Sequence, residues 1–228
     1  MATFYKTLDS DQDVVNTRTL LHEAIPLTGT IVSGTYSDNN IKNYSHGMFQ
    51  STYDYPYLSS SANHIFDISV GVSSQSGLTV ANQLNKKKNI YNQMAQVLMG
   101  YDHTGSIIQF DEDGDITGGG TKMNDVFFLN FSRLLTKDEI KKGSFELELG
   151  ISGSSGYNPG NHMGDRIKIT DFSGSDGYFV NSPAGEYGIL YATQSAGANI
   201  LAANQRYTVG HLYYQAGIAV ISSSVFLD

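Results

Sequence analysis

The chain has 228 residues, 14 Lys and Arg against 22 Asp and Glu, a formal net charge of −8 and no cysteine. A chain this long forms one large domain or two small ones and buries a core without covalent staples. The acidic balance argues against a duplex nucleic-acid binder, and the missing cysteines exclude disulfides and thiol chemistry and leave zinc only His and carboxylate ligands.

In chain order, a helix is expected from about Gln12 to Ile25, ended by Pro26, and then a short strand over Gly29–Gly34. Ser37 to Ser61 keeps no period and is rich in Asn, Ser and Tyr; its aromatic content makes it a long ordered loop rather than a flexible linker. From His64 to Val72, Phe66, Ile68, Val70 and Val72 alternate with Ile65, Asp67, Ser69 and Gly71, the mark of a half-buried strand. A second helix is expected over about Asn89–Met99, with Ile90, Tyr91, Met94, Val97 and Leu98 on one face and Gly100 as its stop. Lys86-Lys87-Lys88 stand before it, at the helix end where positive charge is the less favourable sign; they read first as a solvated run, with a hint of some use.

Ile107–Phe110 and Val126–Phe131 read as strands flanking an acidic, glycine-rich turn. Thr136-Lys137-Asp138-Glu139 has the form of a capping box, which opens a short helix closed by Gly143. In Ser144–Leu149, Phe145, Leu147 and Leu149 face one way and Glu146 and Glu148 the other, as in a sheet with one wet face. Gly150–Gly164 is a second long loop, and short strands follow around Ile167–Thr170, Tyr178–Val180, Tyr187–Ala192, Leu212–Gln215 and Ile218–Phe226. The expected fold is α+β, mainly antiparallel β with two or three short helices and long ordered loops. It forms one unit over residues 1–228, with subregions 1–125 and 126–228.

No apolar run approaches the roughly 18 residues of a membrane span, and the first residues lack the apolar core of an export signal, so no membrane partner is expected. Chemistry-bearing motifs are sparse. Asp111-Glu112-Asp113-Gly114-Asp115 opens like a calcium loop, but Ile116 stands where that loop needs Gly and Lys122 where it needs Glu. It reads first as a solvated acidic turn, with weak calcium binding as the alternative. His22, His46, His64, His103, His162 and His211 show no ligand spacing, and the neighbours Asp102 and His103 do not by their adjacency make an acid–base pair. Glu146 and Glu148, about 7 Å apart on one strand face, are the one carboxylate pair to weigh for glycoside cleavage; an ordinary wet face accounts for them better. No catalytic, metal or cofactor residues are assigned, and the chain is expected not to be an enzyme.

The composition points elsewhere. Only 16% of residues are charged, while there are 24 Gly and 15 Tyr. Such a surface can bury aromatic area without desolvating ions, as interface centres do. Tyr53-Asp54-Tyr55-Pro56-Tyr57 concentrates that character, which makes Tyr53, Tyr55 and Tyr57 the candidate interface residues.

Several strings carry a family likeness: Leu27-Thr28-Gly29-Thr30-Ile31-Val32-Ser33-Gly34-Thr35-Tyr36, Tyr44-Ser45-His46-Gly47-Met48-Phe49-Gln50-Ser51, the run from Tyr53 to Ile68, Ile90 to Leu98, and Ser182 to Tyr191. Together they resemble virion structural proteins of T-even-like contractile-tailed phages of marine cyanobacteria, over most of the chain. The resemblance implies a virion component made in the host cytoplasm and built into the particle in the tail or baseplate, and the expected function is a non-enzymatic baseplate part, present in several copies among other virion proteins. The alternatives are a head or neck accessory protein and a receptor- or glycan-binding tail module. No cofactor, nucleic acid or membrane is expected among its partners.

Overall fold

The alternating run at His64–Val72 forms a nine-residue strand, β3, and the rest of a single antiparallel sheet is built around it. The computed structural model describes residues 40–77, 84–114, 120–131, 139–150, 166–196 and 207–226. The expected helix at Gln12–Ile25, the strand at Gly29–Gly34 and nearly all of the Gly150–Gly164 loop lie outside them. The other strands are β1 (Ile41–Asn43), β2 (Phe49–Tyr53), β4 (Asp125–Asn130), β5 (Glu146–Gly150), β6 (Arg166–Thr170), β7 (Phe179–Ser182), β8 (Gly185–Ala196), β9 (Tyr207–Tyr213) and β10 (Ile218–Ser222). Helix α1 spans Leu84–Leu98, and a 3-10 turn, Ser223–Phe226, follows β10. The ladder runs β1-β2-β3-β4-β10-β9-β8-β6-β5, with β7 on the free end of β8. Strands from both sides of residue 125 therefore share one sheet, joined where β4 lies between β3 and β10.

The pleat sends successive side chains to opposite faces, and both faces are covered. On one, Tyr91, Ala95 and Leu98 of α1 pack with Val126 and Phe128 of β4, Val220 of β10 and Tyr187 and Tyr213. On the other, Leu129, Ala219 and Ile221 meet Ile167, Ile169, Leu190 and Leu212. Each Val, Leu, Ile or Phe among them contributes about 1.5–3 kcal/mol by its withdrawal from water. Helix and sheet approach closely over Gly71, where a Cβ would come within 2.5 Å of the Phe128 ring and 3.2 Å of the Tyr91 Cα.

The sheet also coils. Four strands separate β4 from β5 in the ladder, which would put their ends about 24 Å apart in a flat sheet. Yet the ring of Phe131, just past β4, lies 5.8 Å from that of Phe145, just before β5, and 5.5 Å from Phe66 of β3. Asp171 fixes this closure: its buried carboxylate accepts the N–H groups of Gly143 (2.7 Å) and Phe145 (2.8 Å) and the Tyr214 hydroxyl (3.1 Å).

Four expectations need correction. First, the described residues hold one α-helix, not two or three; it begins five residues early, so Lys86, Lys87 and Lys88 lie inside it rather than ahead of it. Its stop is as expected: Gly100 is left-handed (φ 85) and its N–H reaches the Ala95 carbonyl at 3.0 Å. Second, of the short helix expected to open at Thr136, residues 136–138 lie outside the described ones, and the described remainder, 139–143, is irregular chain ending in a turn. The Glu139 carboxylate, needed for the reciprocal cap, is taken by Lys142 (2.6 Å) and the Gln215 amide (2.8 Å). Third, Ser37–Ser61 is not one loop, because it contains the β1–β2 hairpin; these strands are short, lie at the sheet edge and are partly wet, so their period is weak. Fourth, Ile107–Phe110 makes only a single bridge, Ile107 with Tyr101. The Phe110 N–H is spent on the Tyr91 hydroxyl at 3.3 Å instead of a ladder.

Candidate functional site

The tyrosine segment runs from the end of β2 into the 54–63 loop, and its geometry is set by Asp54. That carboxylate is only 3% exposed and accepts both the backbone N–H (2.6 Å) and the side-chain amide (2.8 Å) of Asn63. The Asp54 N–H in turn donates to the Asn63 carbonyl at 3.1 Å, and the Asn40 amide donates to the Asp54 carbonyl at 3.2 Å. The loop is thus clipped shut at its base. Inside it, the Tyr53 ring contacts Tyr57 (6.2 Å) and meets His64 edge-on (5.5 Å). Tyr53, Tyr55 and Tyr57 are all half-buried. The structure brings Tyr53 and Tyr57 together as the loop's internal packing, so Tyr53 is as much a strut as a contact residue. The most exposed large apolar side chain of the loop is one that sequence reading passed over: Leu58, 87% exposed at the tip. The stiff Tyr-Pro-Tyr sequence before it was the available signal.

Asp67 Oδ1 accepts from His64 Nε2 at 2.8 Å and from the Ser51 hydroxyl at 2.5 Å, which ties the loop's exit strand to β2. A wall of rings stands at the other end of the hairpin, with Tyr44 4.8 Å from Phe49 and 5.3 Å from a stacked His46.

The acidic turn is held by its own cation. Asp111 is wholly buried, and the Lys122 ammonium pairs with its Oδ2. The backbones of the two residues form a bridge, and the Glu112 N–H donates to the Thr121 carbonyl at 3.1 Å. Burial, and the like charge of Asp113 beside it, hold the Asp111 carboxyl above the usual range against the pull of Lys122. Gly120 is left-handed (φ 70), and a Cβ there would come within 2.6 Å of Asp111 Oδ1 and 2.7 Å of Asp113 Oδ2. Asp115 lies outside the described residues. Among the described residues no group of three or more His, Cys, Asp or Glu is placed to hold a metal ion.

Behind this turn His211 of β9 is fully buried among the rings of Tyr187 (5.5 Å), Tyr213 (6.1 Å) and Phe110 (6.3 Å). Burial pushes its pKa down to about 4, so the imidazole is neutral at physiological pH. The remaining residues weighed for chemistry are dispersed. Asp102 Oδ1 accepts the Thr104 hydroxyl and N–H and the Ser106 N–H, closing its own turn beside His103. Glu146 and Glu148 lie exposed on β5, and Glu146 pairs across the ladder with Lys168 at 2.7 Å. His22 and His162 are outside the described residues.

Comparison of the chain with models of known protein families, with curated proteins and with solved structures gives no match.

Proposed function

We propose that this chain is a non-enzymatic structural component of a contractile-tailed phage virion, placed in the tail baseplate and working through permanent contacts with other virion proteins in several copies. The observation that carries this reading is the clipped 54–63 loop. It is ordered by Asp54 and Asn63 and packed by Tyr53 and Tyr57, and it presents Leu58 87% exposed. A preorganised apolar projection loses little conformational entropy on docking, and a nearby charged rim would add desolvation cost that this weakly charged loop avoids. The family likeness of the strings around Tyr44–Ile68 and Ser182–Tyr191 supports the same reading.

The test is complementation of a phage that lacks this gene. The Leu58→Asp chain folds like the wild type, since the side chain is solvated, and its incorporation into particles falls tenfold or more. Equal incorporation of Leu58→Asp removes the loop from the interface. Absence of the wild-type chain from particles removes the virion reading.

A further inference from the structure

Between the β1–β2 turn and the first turns of α1 lies a cleft of about 300 Å³, at the small end of the volumes that hold organic ligands, roughly 300–1,000 Å³. Tyr44, Met48 and Phe49 form its outer wall and Ile90 part of its inner one, while Asn43, Gln50 and Ser69 supply neutral polar groups. Lys86 and Lys87 of α1 line it too, and among the described residues no Asp or Glu does, in a chain with eight more acidic than basic residues. Lys86 reaches the His46 carbonyl only at 3.4 Å, and among the described residues neither ammonium has a carboxylate partner. The wall is rigid because Tyr44, His46 and Phe49 pack on one another at 4.8–5.3 Å. Two ammonium groups over a low-dielectric wall attract an anion more strongly than the same groups in open water.

We propose that this cleft binds a small organic anion, an apolar or aromatic body bearing one acidic group, with the acid on Lys86 and Lys87 and the body against Tyr44, Phe49 and Ile90. The paired arrangement gives the lysine run a use, because turns of α1 aim the first two lysines at the cleft while Lys88 is not among its lining residues. This site is independent of the assembly role.

The probe is 8-anilinonaphthalene-1-sulfonate, titrated by fluorescence against the full chain. One saturable site is expected, weakened tenfold or more in the double variant Lys86→Ala/Lys87→Ala and unchanged in Lys88→Ala. On the wild type, 0.5 M salt weakens the sulfonate several-fold and leaves the neutral N-phenyl-1-naphthylamine unaffected, a comparison that does not depend on any variant folding. The proposal is overturned by unsaturable binding, by undiminished affinity in the double variant, or by equal affinity for the neutral compound.

Discussion

Asp54 and Asn63 hold the two ends of the tyrosine loop through three hydrogen bonds of 2.6–3.1 Å, two of them to one buried carboxylate. This clip lets a ten-residue connection stand out from the sheet edge in one conformation. In Asp54→Ala the Asn63 donors lose their acceptor, at a cost of about 1–3 kcal/mol. In a chain of this length that lowers Tm by about 2–4 °C per kcal/mol. Chymotrypsin should cut after Tyr57 or Leu58 many times faster in Asp54→Ala than in the wild type. Equal cutting rates would show that the loop is not held by the clip.

His211 sets an acid limit on stability. Its folded pKa of about 4 lies below the unfolded value of 6.5, so its contribution is complete above pH 6.5 and is lost as pH falls from there toward 4. The loss is at most about 3 kcal/mol. Asp171 and Asp111 work in the opposite sense: burial raises both carboxyls, so they destabilise the fold as pH rises from the unfolded carboxylate value through their folded ones. His211→Phe keeps the ring among Phe110, Tyr187 and Tyr213 and should flatten the slope of urea-unfolding stability between pH 6.5 and 4. An unaltered slope would assign the acid sensitivity to other groups.

Lys122 answers the charge of Asp111. Removing it in Lys122→Ala leaves a wholly buried carboxylate beside Asp113, and stability should fall by about 2–3 kcal/mol, discounted because the lysine is partly solvated. Asp111→Asn/Lys122→Met removes both charges and should recover most of that loss. If the single and double variants unfold at the same urea concentration, the pair is not what holds the turn.

Tyr91 joins helix to loop: its hydroxyl donates to the Met123 carbonyl at 2.8 Å and accepts the Phe110 N–H at 3.3 Å. Tyr91→Phe therefore strands two buried backbone groups, at about 1–3 kcal/mol. Hydrogen exchange at the Phe110 amide should rise well above the change at Val220. Uniform change across the sheet would mean only global destabilisation.

Elements with a dry and a wet side were legible. The alternation of β3 and the inward Phe145, Leu147 and Leu149 against outward Glu146 and Glu148 could be read directly, because period and burial coincide there. Elements set by distant partners could not. Glu139 reads as a cap because nothing local shows that Gln215, far along the chain, claims its carboxylate together with Lys142. Ile107–Phe110 looked like a strand because the claim of Tyr91 on the Phe110 N–H spans 19 residues. At the candidate site the tyrosines announced the loop. Its clip rests on Asp54 meeting Asn63 nine residues away, and Leu58 counts only because the clip leaves it outside.

Immunogold labelling of purified virions, intact and gently disrupted, with antibody raised against this chain decides whether it is built into a phage tail, as proposed. Gold should lie at the baseplate end of the tail, stronger after disruption exposes buried copies. Particles without label in both preparations, alongside free chain in the host lysate, would contradict the proposal.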